Sequence, residues 1–144
     1  MFELTPDERL SAWAEHRRQL ETSLHPLEDL VDFWRNAPYV PYNRSVDPYD
    51  QRRWPTPWDI IIENKYDDFT KALMMAWTLK LTSMFKDTRI EIKTYTDADR
   101  ARQYNLVFID DKFVINYTDN DVNLPTEIPD SFQLENLIEV PRPR

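Results

Sequence analysis

Residues 66–84, YDDFTKALMMAWTLKLTSM, decide the fold. At helical spacing, Phe69, Leu73, Ala76, Trp77 and Met84 share one face, with Ala72, Met75 and Leu79 beside it. A helix that is apolar on most sides has to be covered from several directions, so this one is central. Asp67 and Asp68 stand in its first turn, where the helix dipole favours negative charge. Adjacent helical residues do not face each other, so the pair reads as a helix start and not as an acid–base couple.

Downstream the period changes from helical to alternating. RIEIKTY (89–95) alternates, while NLVFI (105–109) and KFVINY (112–117) are short β-rich runs separated only by Asp110-Asp111, which predicts a hairpin. Glu91 and Lys93 alternate with Ile90 and Ile92 and read as the wet face of a strand. Beyond Asn120 the chain turns Pro- and Asn-rich. DSFQLENLIEV (130–140) reads as a short amphipathic piece leading into the tail PRPR (141–144), expected to be mobile or docked on a partner.

Upstream, Thr56-Pro57-Trp58-Asp59 carries the cap logic of a short helix over DIIIENK. Thr5, Pro6 and Glu8 form the same signature before a first helix with Leu10, Trp13, Leu20 and Leu24 on its apolar stripe. HPLEDLVDFWRNAP (25–38) reads as a second helix, stopped before Pro38. Between these lie Pro38, Pro41, Pro48, Pro55 and Pro57 with Tyr39, Tyr42, Tyr49 and Trp54, too aromatic for a free linker. The expectation is an ordered loop strapped across the domain. Helices first and strands later indicate α+β. The layout is one domain over 1–140: helical at 1–36, loop at 37–57, helical at 58–86, antiparallel strands at 88–118. The central helix packs on a small antiparallel sheet, and 141–144 form an extended tail.

Composition narrows the chemistry. The chain has 144 residues, a net charge of −8, no cysteine and no glycine. The charge argues against direct nucleic-acid binding, which rests on cationic neutralisation of phosphate. Without cysteine there is no thiolate nucleophile or Cys-based zinc site. Without glycine there is no P-loop and no Gly-rich dinucleotide fingerprint. No apolar run reaches membrane-span length and the start, MFELTPDER, lacks signal-peptide order, so a soluble intracellular protein without a membrane role is expected. His16 and His25 read as surface or capping residues. Asp119-Asn120-Asp121-Val122-Asn123 alternates oxygen ligands as a calcium loop does, but Leu124 stands where that loop needs glycine. No metal or cofactor is expected.

Tyr66-Asp67-Asp68-Phe69 with KALMMAWTLK, then IEIKTY, then YNLVFIDDKFVINYTD, resembles the core of the transglutaminase-like (papain-type) cysteine superfamily. The resemblance spans roughly residues 60–119. It implies a nucleophile at the head of the central helix, a histidine on one strand and an aspartate on the next. Carried over, those positions fall at Tyr66 or Lys65, at Gln103 or Tyr104, and at Asn116 or Tyr117. The resemblance therefore implies the fold without the catalytic triad, and no catalytic residue. ERLSAWAEHRRQL and WPTPWD are also similar to small proteins of T4-like tailed bacteriophages. That likeness implies a non-enzymatic virion component or assembly factor, placed in the host cytoplasm or the virion. An acidic inhibitor of a host enzyme or defence protein is the alternative, and an active hydrolase or transferase of transglutaminase-like fold is the third reading.

Two readings of the aromatic loop stand. Trp54 and Trp58 can be core anchors that pin a glycine-free loop. They can also belong to a protein-binding surface made of Tyr39, Tyr42, Arg52, Arg53, Trp54 and Trp58, with Arg142 and Arg144 of the tail as a second contact. On the second reading, Trp54→Ala weakens partner binding and leaves the fold largely intact. The oligomeric state does not follow from the sequence.

Overall fold

The computed structural model describes residues 1–144. Four helices, α1 (Pro6–Leu20), α2 (Pro26–Trp34), α3 (Pro57–Glu63) and α4 (Asp68–Lys80), precede four strands, β1 (Ile90–Asp97), β2 (Arg102–Ile109), β3 (Phe113–Ile115) and β4 (Gln133–Glu139). The strands form one antiparallel sheet in the order β3-β2-β1-β4. The expected α+β architecture is the observed one.

α4 is the hub. Every residue from Phe69 to Lys80 except Lys71 is buried, and each large apolar side chain there contributes about 1.5–3 kcal/mol of burial. Its start is set by Asp67, whose side chain accepts from the Thr70 amide at 2.8 Å. It stops at Lys80, beyond which the Thr82 amide and hydroxyl both donate to the Leu79 carbonyl, at 2.9 and 2.7 Å, and the Ser83 amide donates to Glu21 at 2.7 Å in place of a further helical bond. Met84, expected on the buried face, therefore lies outside the helix and is exposed. α1 likewise ends at Leu20, so Leu24 drops off the apolar stripe and is 90% exposed. The helical region 58–86 holds the two helices expected, the short α3 and the central α4. Asn64 separates them with a left-handed φ of 60°, and its side-chain amide donates to the Phe2 carbonyl at 3.0 Å.

The sheet is covered on both faces. Ile90, Ile92, Val107, Ile109 and Ile115 face the main core with α4. Tyr104, Leu106, Phe108 and Val114 form a second cluster roofed by Tyr117, Ile128 and Phe132. The expected wet face is consequently not wet. Glu91 is 3% exposed and accepts from Arg89 at 2.9 Å, while the Lys93 ammonium sits 4.0 Å from the Phe108 ring centre. DSFQLENLIEV is not a free amphipathic piece either, because its 133–139 portion is β4, paired along β1. The β2–β3 hairpin is as expected. Asp110 and Asp111 both take positive φ, 52° and 54°, and the Lys112 amide closes the turn on the Ile109 carbonyl at 3.0 Å. Asp tolerates that conformation through its short polar side chain, which is how a glycine-free chain makes the turn.

Candidate functional site

At the head of α4 the helix meets β2 and the end of β3. Asp68 points its carboxylate at β2 and the end of β3. Its Oδ2 accepts from the Asn105 amide at 3.1 Å and from Asn105 Nδ2 at 3.0 Å, and its Oδ1 accepts from Asn116 Nδ2 at 3.4 Å. Asn116 Nδ2 also donates to the Asn105 carbonyl at 2.9 Å, and the Thr94 hydroxyl donates to Asn105 Oδ1 at 2.8 Å. Burial raises the Asp68 pKa, and the Asn105 hydrogen bonds, Lys71 and Asn116 pull against it. Asp68 is thus a tertiary tether and not the simple dipole partner expected from the sequence. Each member has a hydrogen-bonding partner within the cluster, which offers no thiol, hydroxyl or imidazole for attack apart from the engaged Thr94.

The positions carried over from the resemblance do not come together in the structure. Tyr66 is 1% exposed and packed edge-on against Phe2 and Trp34. Its backbone holds the aromatic loop: the Val40 amide donates to the Tyr66 carbonyl at 3.0 Å and the Tyr66 amide to the Pro38 carbonyl at 3.1 Å. Tyr104 lies on the opposite face of the sheet, in the second cluster, and Gln103 is exposed. Of the positions carried over, Asn116 alone joins the cluster. Asp68 and Asn105 were legible only as a helix start and a strand residue, because their meeting is a contact across 37 residues of chain.

The second candidate region, residues 37–57 with the tail, does not present its predicted residues as one surface. Trp54 is a core residue, 3% exposed, against Phe69 and Trp77 at 5.8 and 6.0 Å, with its indole N–H donated to the Asp47 carbonyl at 2.6 Å. The expectation that its removal leaves the fold intact is corrected by that burial. Trp58 is 37% exposed and leans edge-on against Trp13 at 5.8 Å. Tyr39 and Tyr42 are 72% and 67% exposed. Tyr42 borders a shallow depression with Arg44 and Lys65. Arg53 is an exposed partner of Asp50 at 3.3 Å. Arg52, Arg142 and Arg144 line a separate cavity with Tyr49, Trp54 and Trp77. Tyr49, equally exposed, belongs with that group.

The histidines lie elsewhere, and His16 is not the surface residue expected. It is 5% exposed and stacks on Phe33 at 3.7 Å. Desolvation lowers its pKa to about 4, with Asp29 raising and Arg17 further lowering it. No group of three or more His, Cys, Asp or Glu is placed to hold a metal ion, and no helix is long and apolar enough to cross a membrane.

No protein-family model matches the chain, and no curated protein matches it. Among solved structures, calcium-bound LapG of Legionella pneumophila is similar with a TM-score of 0.72 at 15% identity, covering 95% of this chain and 77% of that one. A second LapG structure gives 0.72 at 15% over 93% and 76% of the two chains, and the EGTA-treated protein gives 0.69 at 15% over 90% and 71%. LapG has the transglutaminase-like (papain-type) protease fold. At that identity the likeness speaks to architecture alone: four helices on a four-stranded antiparallel sheet, in a transglutaminase-like fold.

Proposed function

We propose that this chain is a non-enzymatic protein that works by protein–protein contact. The observation that supports this most is the hydrogen-bonded set Asp68–Asn105–Asn116 at the head of α4, which uses for structure the place where the resemblance puts a nucleophile. A carboxylate held by two amides and raised in pKa by burial has neither a nucleophile to activate nor an imidazole to orient. The protease description of LapG belongs to LapG, and its calcium likewise. The exposed tyrosines 39, 42 and 49 supply rigid amphipathic contact area of the kind that anchors protein interfaces.

The finer reading is a bacteriophage virion component of the head, neck or tail, or an assembly factor. It rests on the likeness of ERLSAWAEHRRQL and WPTPWD to phage sequences. Mass spectrometry of purified virions tests it, and presence at fixed copy number is expected. Absence favours the second reading, an acidic inhibitor of a host enzyme or defence protein, to which the net charge of −8 lends itself. Steady release of product from an amide or ester by the pure protein, abolished by Asp68→Asn, would overturn the non-enzymatic reading altogether.

A further inference from the structure

A cavity of about 620 Å3 opens between residues 49–56 and the tail 141–144. Three arginines line it. Arg52 and Arg142 form no ion pair in the structure. Arg144 donates one guanidinium N–H to the Trp54 carbonyl at 2.7 Å, which docks the tail on the loop and leaves its remaining donors free. The one acidic side chain in the lining, Asp50, is engaged by Arg53 outside it. Trp54 and Trp77 contribute aromatic wall, and the buried indole N–H of Trp77 has no acceptor.

Three arginines with no paired carboxylate in one cavity make a local cationic patch on a chain of net charge −8. Acids outnumber bases by 26 to 18, so neutralising partners were abundant. Guanidinium groups present planar forks that match carboxylate oxygens two at a time, and an aromatic wall beside them accepts methylene groups. The volume falls in the range of ligand sites and is much larger than a bare inorganic anion needs. We infer that this cavity takes glutamate or aspartate side chains from an acidic segment of a protein partner. The inference gives the protein-contact reading its partner chemistry and rests on that reading only for the carrier of the carboxylates.

The test is calorimetric titration of the full chain with hexaglutamate, with inorganic phosphate and with hexalysine. Hexaglutamate is expected to bind once per chain despite the overall like charge, and hexalysine not at that site. Arg52→Gln/Arg142→Gln is expected to weaken hexaglutamate by about tenfold or more, as loss of charged partners does. Arg35→Gln/Arg44→Gln, an equal change of net charge elsewhere, is expected to change it by less than about twofold. Both arginine pairs are exposed, and an unchanged melting temperature confirms folding. No binding of hexaglutamate overturns the inference, as does equal loss in the two double variants. Phosphate binding at least as tight as hexaglutamate overturns the peptide assignment. A partner captured through Tyr39 and Tyr42 while hexaglutamate fails would sink this site and leave the contact reading standing.

Discussion

At the scale of single residues, burial and left-handed backbone decide the outcome. Trp54 packs on Phe69 and Trp77 and donates its indole N–H, so Trp54→Ala should cost about 3–5 kcal/mol, read by urea unfolding. A loss below about 1 kcal/mol would return Trp54 to the surface reading. Asp68→Ala should cost about 2–3 kcal/mol, because Asn105 then keeps buried donors without an acceptor. Asn64 shows how a chain without glycine makes a helix stop: its φ is 60° and its side chain is bonded to Phe2. Asn64→Ala loses that bond and imposes left-handed strain, for an expected cost of about 1–2 kcal/mol in the same assay.

The helices were legible as elements because their signals are local. The Thr56–Asp59 capping box is present as the spacing requires, the Thr56 hydroxyl accepting from the Asp59 amide at 3.2 Å. Thr56→Ala should cost about 1 kcal/mol, and thermal melting of the variant checks it. The end of α3 was not legible, since part of its capping comes from another helix. The Arg9 guanidinium of α1 donates to the Ile61 and Ile62 carbonyls at 3.0 and 2.7 Å. β4 was missed for a related reason. Its burial alternates weakly, it is an edge strand, and what defines it is pairing with β1 some 40 residues earlier. Glu91 and Lys93 alternate as a half-exposed strand does. Only the segment that returns over the sheet, bringing Phe132 and Ile128, converts their face into a second core.

Across the molecule, the packing of α1 against α2 buries His16 on Phe33 and makes stability depend on pH. Its pKa is lowered to about 4 by desolvation, against 6.5 in a free side chain. The unfolded chain then binds a proton that the folded chain refuses as pH falls below 6.5, so stability is full above that value and declines toward 4. Between pH 7.5 and 5 the loss should be about 2 kcal/mol, measured as the difference between the native chain and His16→Phe. That difference cancels Asp68, whose raised pKa acts with the opposite sign. A parallel pH dependence in the two proteins would mean that His16 is not buried uncharged. By itself, the sequence determined the class of fold, the central helix, its carboxylate-rich start, the hairpin and the absence of a thiol, because periodicity, caps and composition act over a few residues. The tertiary structure alone decided which carboxylate meets which amides, that Trp54 is inside, that both sheet faces are covered, and that Arg52 shares a cavity with Arg142 and Arg144 of the tail. Those depend on contacts between residues far apart in the chain, and such contacts exist only once the core has placed its elements.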